Sequence, residues 1–432
     1  MKILHVSDLH LGKTLQGRSR IQEQTLALAR IIEIARERAV DLALIAGDIF
    51  DTFNPSAEAE EIFYEFLAEM SEQGKRGIIA IAGNHDNPER IEASNPIAAR
   101  HGISLVGGGL TNLGLGGSDD RARRVASGEG WLEITVPGCP HSAIVATLGY
   151  PSEKRLGKLF CGNSKDFASE SDRIETTISE CLKTSAGNFR PGSVNIVLAH
   201  LLLQGGRGSG EERTLPIGGI DGISARVIPP GTDLVALGHL HRPQEVKEAS
   251  VASHYSGSIL PYLFAESDRR KTAIVYEVEP GKSPHVDYVD LNAGFSLVTW
   301  LPKDIVEAVS WARDESRDPN SWLEIRIQTP GYFSQSELET IRNTRGEKIV
   351  NIITENPRPV PFLDAGSIVD GSDSDVFKSF RQFLEMNEAS PVEELSTLFG
   401  QILDEVSEEG EKSEVLSDSP NRTREISAKK SL

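Results

Sequence analysis

Apolar runs of four or five residues recur through the first 240 positions, and each closes on a polar cluster. Ile3-Leu4-His5-Val6 runs into Ser7-Asp8-Leu9-His10, and Leu42-Ala43-Leu44-Ile45 into Ala46-Gly47-Asp48-Ile49-Phe50-Asp51. Ile78-Ile79-Ala80-Ile81-Ala82 ends in Gly83-Asn84-His85-Asp86. Asn195-Ile196-Val197-Leu198-Ala199 ends in His200, and Asp233-Leu234-Val235-Ala236-Leu237 in Gly238-His239-Leu240-His241. Short apolar runs bounded by turn residues read as strands buried on both faces. Between the first three runs the period becomes helical, with Ile21, Leu28, Ile31, Ile32 and Ala35, then Ile62, Phe63, Phe66 and Leu67. Ser19-Arg20-Ile21-Gln22 matches a capping box. Asn54-Pro55 and Asn87-Pro88 read as caps with Pro at the first helical position. Strands alternating with helices predict a layered α/β fold.

The middle of the chain is less regular. Residues 131–136, 142–148 and 272–278 read as strands, those at 131–148 starting a second sheet, and 171–184 as a helix. Arg121, Arg123 and Arg124 read as a solvated loop, and the glycines at 205–210 as a flexible one. A Gly/Pro turn at 280–284 marks a domain boundary. Beyond it, strand 296–300, helix 304–313, strand 322–328, helix 334–343 and strand 348–354 make a βαβαβ unit of about 75 residues. Three prolines between 356 and 361 mark a linker. Residues 375–408 read as two amphipathic helices, one lined by Phe377, Phe380 and Leu384, the other by Leu395, Leu398, Phe399 and Ile402. From 409 the chain is charged and Ser-rich, and reads as disordered. The expected domains are therefore 1–280, 281–360, a linker and helical segment at 361–410, and a tail at 411–432.

Composition narrows the classes. With 432 residues, 38% hydrophobic and 25% charged, the chain is globular and long enough for two or three domains. No apolar run approaches the roughly 20 residues of a membrane helix, and Asp8 interrupts any signal peptide. Three cysteines without a CxxC pair point to a reducing, cytoplasmic setting. No Walker A motif occurs, so any ATP dependence belongs to a partner. The net charge of −19 opposes autonomous nucleic-acid binding; a polyanionic substrate would need bound cations, local basic patches or a second subunit.

The strand ends carry the candidate chemistry. Open α/β sheets place ligands at the carboxyl ends of their strands. Of 10 histidines, five fall there: His10, His85, His200, His239 and His241. Residues two apart in an extended segment face one centre, which pairs Asp8 with His10 and His239 with His241. Asp8 and Asp48 brought to about 4 Å would repel by roughly 4 kcal/mol at an effective dielectric near 20. Bound cations reverse that sign. Mixed carboxylate and imidazole donors suit Mn, Fe or Zn better than Mg.

These five motifs resemble those of the calcineurin-like metallophosphoesterases. His10-Leu11-Gly12, Gly47-Asp48-Ile49-Phe50-Asp51-Thr52, Gly238-His239-Leu240-His241-Arg242-Pro243-Gln244 and Tyr255-Ser256-Gly257-Ser258 resemble, more narrowly, the branch supplying bacterial nuclease subunits related to the double-strand-break repair nuclease. The resemblance implies a two-sheet β-sandwich flanked by helices, a small βαβαβ capping domain and C-terminal helices. It implies two divalent cations, Mn2+ foremost, one held by Asp8, His10 and His241 and the other by Asn84, His200 and His239, with Asp48 bridging. His85 would be the general acid, and imidazole suits proton donation near neutral pH. Asp51, which is His in some relatives, would lie behind the ligands or contact a metal-bound hydroxide. The implied partners are DNA, an SMC-like ATPase docking on the C-terminal helices, and a second copy of the chain in a heterotetramer, with Ile62 and Phe66 as candidate contacts. A phosphodiesterase or phosphatase acting on small molecules or proteins is the competing reading, but it leaves the βαβαβ unit and apolar helices without a use. A non-catalytic scaffold is disfavoured because no expected ligand is missing.

Overall fold

The structure, a computed structural model, describes residues 1–108, 111–152, 167, 169–208, 222–266, 270–328, 335–355, 377, 378, 380, 381, 384 and 392–402. β1 (Lys2–Val6) is followed by a small hairpin of β2 (Thr14–Leu15) and β3 (Arg18–Ser19), then helix α1 (Ile21–Glu37). β4 (Leu42–Ala46), helix α2 (Ala57–Met70), β5 (Gly77–Ile81), helix α3 (Pro88–Ala93) and β6 (Ile103–Val106) come next. β7 (Arg123–Gly128), β8 (Trp131–Thr135), β9 (Ala143–Leu148), β10 (Val194–His200), β11 (Leu234–Gly238), β12 (Gln244–Glu245) and β13 (Ser253–Tyr255) follow. The series closes with β14 (Thr272–Glu277), β15 (His285–Asp290), β16 (Ser296–Trp300), β17 (Ser321–Gln328) and β18 (Ile349–Glu355).

The fold is mixed α/β. A six-stranded sheet runs β15-β14-β1-β4-β5-β6, and a seven-stranded sheet β12-β13-β11-β10-β9-β8-β7. Within the first, β1, β4, β5 and β6 are parallel; within the second, β9, β10, β11 and β13 are. Parallel strands covered on both faces must be apolar throughout, which explains the unbroken runs. Successive side chains then enter different cores. Leu4, Ala43, Ile45, Ile78 and Ala80 pack with Leu28, Ile31 and Phe63 of α1 and α2. Ile3, Leu44, Ile79 and Ile81 pack instead with Ile134, Val145, Ile196 and Leu234 of the seven-stranded sheet. The opposite face of that sheet, with Val197 and Val235, is covered by Ile174, Ile178 and Leu182 of the helix Glu170–Ser185.

The chain divides into two compact units. The first comprises Met1–Thr299, Glu315–Glu324 and Glu347–Asn351, and the second the remainder. In the second, helices Ile305–Arg313 and Gln335–Arg345 pack on each other. The Arg345 guanidinium lies 5.5 Å from the Trp300 ring centre and donates to the Ala312 carbonyl. Phe380 stacks on Phe399, while Leu398 and Ile402 are exposed. Among the described residues no helix is long and apolar enough to cross a membrane.

Several local expectations are corrected. Ser19 does not cap α1: it lies in β3, and the N-cap is Arg20, whose guanidinium is buried in an ion pair with Glu23. Asn54 does not cap α2; Ser56 does, accepting from the Ala59 amide. Asn87 caps α3 and accepts from the Arg90 amide. Arg124 is no solvated loop residue: it is buried on β7, where it donates to Ser104 Oγ and the carbonyls of Leu113 and Gly114. Phe66 is buried in the core beneath α2 and cannot serve as a contact for a second copy. Residues 209 and 210 of the glycine loop, most of the segment 375–408 and the tail lie outside the described residues.

Candidate metal centre

The two sheets meet at the carboxyl ends of β1, β4, β5, β10 and β11. Gly47 and Gly238 allow the approach: a Cβ on Gly238 would sit 1.8 Å from the Ala46 carbonyl oxygen, and one on Gly47 2.3 Å from His200 Nδ1. The backbone amides of Asp8, His10 and Leu11 donate to the carbonyls of Gly47, Asp48 and Ile49, which laces the first loop to the second. Asp86, also buried, ties the third to the second, since its carboxylate accepts from the amides of Gly83, Ile49 and Phe50.

All the ligand residues expected from the sequence lie in this one place. Asp8, His10 and His241 have donor atoms within 4.8 Å of one another, and so do Asp8, Asp48 and His200. Nε2 of His10 and Nε2 of His241 are 3.0 Å apart. Asn84 Oδ1 lies 3.0 Å from His200 Nε2 and 3.1 Å from His239 Nδ1. Asp48 Oδ2 faces both groups, 3.7 Å from His10 Nε2 and 3.5 Å from His200 Nε2. His200 Nδ1 is 2.7 Å from the Ala46 carbonyl, which can only accept; the proton is therefore on Nδ1 and Nε2 is presented to the site. Four of the residues have left-handed backbone: Asp8 (φ 52°), His10 (φ 44°), Asp48 (φ 48°) and His239 (φ 103°). L residues hold such angles only when the surroundings impose them, and they cluster at functional sites.

His85 and Asp51 stand at the edge. His85 Nδ1 donates to the Asp51 carbonyl at 2.7 Å, and the His85 amide to Asp48 Oδ1 at 2.9 Å. Asp51 Oδ1 is 3.4 Å from His10 Nδ1 and 3.6 Å from Lys13 Nζ. His10 Nδ1 is buried and makes no hydrogen bond, because that 3.4 Å approach lacks the alignment.

The electrostatics fit divalent cations. Burial first, and His241 second, push the His10 imidazole well below its ordinary range. Burial raises the Asp8 carboxyl despite its histidine neighbours. Burial would also raise Asp48, but His200, His85 and the His85 amide outweigh it and hold Asp48 below the usual range. Close-packed imidazoles and two buried carboxylates form a donor set that is costly alone and satisfied by cations. The described residues thus offer a possible metal site.

Other residues of the site were not singled out by the sequence. Tyr150 follows β9, with its ring centre 6.2 Å from those of both His200 and His239. A signal exists: Leu148-Gly149-Tyr150 ends an apolar run as the other motifs do, but an aromatic residue there does not stand out as a ligand would. Gln24, inside α1, donates to the His10 carbonyl and accepts from the Gly12 amide; nothing in its local pattern marks it.

The family model described as calcineurin-like phosphoesterase matches residues 1–243. The chain is 34% identical over 415 residues to the D subunit of the SbcCD nuclease of Bacillus subtilis (strain 168), covering 95% of this chain and 100% of that one. Two solved structures overlap more loosely. They are TT1561 of Thermus thermophilus (12% identity, TM-score 0.36, 67% of this chain and 99% of that one) and a dimetal phosphatase from Danio rerio (11%, 0.38, 67% and 96%). Overlap this loose carries no argument about the chain. The family match and the long, full-length similarity place this chain among the calcineurin-like phosphoesterases, in the branch of the SbcD nucleases.

Proposed function

We propose that the chain is the metal-dependent DNA nuclease subunit of an SbcCD-type complex, cutting DNA ends and hairpins in repair, recombination and replication. The observation that carries the reading is Asp48, whose single carboxylate faces both donor groups. Asp8, His10 and His241 would hold one cation and Asn84, His200 and His239 the other, with Mn2+ favoured by the imidazole-rich set. Bound there, divalent cations would supply Lewis-acid charge to a phosphodiester and make water at the site more acidic. His85 acts as general acid. Its Nδ1 proton is committed to the Asp51 carbonyl, so Nε2 is the atom that gives a proton to the leaving oxygen. Asp51 sets that ring and faces His10 from behind.

The fuller architecture belongs to the same proposal, with the first boundary moved. The turn expected to end the domain at 280–284 instead joins β14 to β15 within the six-stranded sheet, so the two-sheet sandwich runs past 280 through β15, followed by a capping domain to 360 and a docking segment at 361–410. Exposed Leu395, Leu398 and Ile402 suit an apolar groove on an SbcC-like SMC-family ATPase. A homodimer within a heterotetramer, in the cytoplasm, completes it. The test compares Mn2+-dependent cleavage of linear duplex DNA, hairpin DNA and a small chromogenic diester. The nuclease reading expects DNA to be cut; turnover of the diester alone would favour a small-molecule phosphodiesterase.

A further inference from the structure

Lys271 immediately precedes β14 and its side chain is almost wholly inside the protein. Its ammonium donates to three oxygens: Ser258 Oγ at 2.7 Å, the His241 carbonyl at 3.1 Å and Glu266 Oε2 at 3.1 Å. Burying a charge this way is expensive unless it is paired and fully hydrogen-bonded. Here each acceptor belongs to a segment that leads back to the candidate metal centre. The His241 carbonyl also accepts from the Ser258 amide, at 3.2 Å. Glu266 Oε2 accepts from the Tyr262 amide, at 3.3 Å. Tyr262 in turn donates through its hydroxyl to the Leu9 carbonyl and accepts from Gln24, which donates to the His10 carbonyl.

One arm of the network therefore ends on the backbone of His241, and the other on the loop that carries His10. Those are the two imidazoles whose Nε2 atoms stand 3.0 Å apart. The two loops are 231 residues apart in sequence. We propose that Lys271, with Glu266, is a positioning residue: it locks these loops in mutual register and so sets the cation affinity of the Asp8, His10 and His241 position in particular. Only a compact ammonium with three protons serves a carbonyl, a hydroxyl and a carboxylate lying in different directions; the planar fork of Arg does not. The Asn84, His200 and His239 group draws mainly on Ala46 and the β10 and β11 strand ends; of its members only His239 adjoins these arms, two residues before His241, where its amide is held separately by the Asp8 carboxylate.

This inference rests on the two-cation reading above, and its test does not require DNA cleavage. Two full-length variants are used: Lys271→Met/Glu266→Leu, which leaves neither charge alone, and Lys271→Arg, which keeps the charge. Mn2+ is titrated calorimetrically without DNA, and amide hydrogen exchange is followed without metal. Wild type is expected to bind in two events. In both variants one event weakens about 10- to 100-fold, the range for losing a group that orients a ligand, while the other stays within about twofold. Exchange quickens at residues 9–12 and 240–242 and not at His239, whose amide is held by Asp8, nor in β4 or β10. Unchanged events, equal weakening of both, a single event in wild type, or loss of the fold in both variants overturns the inference. Wild type that binds Mn2+ twice but leaves DNA intact would sink the nuclease reading, and the split between the two events would still decide this one.

Discussion

Gly83→Ala is the most demanding test of the site's construction. A Cβ there would lie 2.0 Å from Asp48 Oδ1 and 2.3 Å from the Asp48 amide nitrogen, against a floor of 3.0 Å for real Cβ contacts. One neighbour is backbone, so no rotamer change relieves it; the loop carrying Asp48 must withdraw by about 1 Å. That loop is tied across the gap by Asp86 and by the His85 amide, at 2.8 to 3.0 Å. Hydrogen bonds to charged groups are worth about 1.5–3 kcal/mol each, and overpacking alone costs about 1–3 kcal/mol. We expect a loss of about 3 kcal/mol in urea unfolding of the metal-free protein. A misplacement near 1 Å at a reacting centre costs about 100-fold in turnover, so DNA cleavage should fall by that order even in saturating Mn2+. Gly187→Ala is the control, because its added Cβ meets nothing within 4 Å. If Gly83→Ala unfolds and cuts like wild type, the close packing of the two loops is not what holds Asp48 in place.

The other predictions are narrower. His85→Ala should keep its cations by elemental analysis and lose about 10²- to 10⁴-fold in nuclease turnover; a variant that cuts normally removes His85 from the chemistry. Asp48→Ala should abolish occupancy of both positions, and full two-metal content would refute its shared role. Burial, with His254 adding, pushes the His5 imidazole down to about 3. The unfolded chain then takes up a proton the fold refuses as pH falls from about 6.5 toward 3, so His5 costs stability on acidification and nothing above pH 7. His5→Gln should flatten the decline by about 2–3 kcal/mol between pH 6.5 and 4.5 at 1.36 kcal/mol per unit; identical pH profiles would refute this. Truncation after Pro361 should leave a catalytic core that no longer co-elutes with the ATPase, and retained co-elution would count against docking through the C-terminal helices.

Strand ends were legible because a parallel sheet buried on both faces leaves an unbroken apolar run, and the polar residue after it has nowhere to go but the sheet edge. That one rule reached Asp8, Asp48, Asn84, His200 and His239. It was blind to Gln24, which sits mid-helix and matters only because α1 passes beneath the His10 loop. It was equally blind to Lys271, which no motif marks, and to Arg124, which reads as part of a solvated loop; both are buried by partners elsewhere in the chain. The rule also misses β15, His285 to Asp290, which carries no unbroken apolar run and pairs with β14 at the sheet edge. Capping was read from residue type alone, and in α1 a buried Arg20–Glu23 pair took precedence over the serine.

The left-handed corners at Asp8, His10, Asp48 and His239 have a cost in durability. Each penalises an L residue by about 1–2 kcal/mol, and glycine would remove that penalty along with the donor atom. Selection for heat resistance alone would therefore favour sturdier, inert chains at these positions. On the two-cation proposal, what keeps the four side chains in place is demand for the reaction itself.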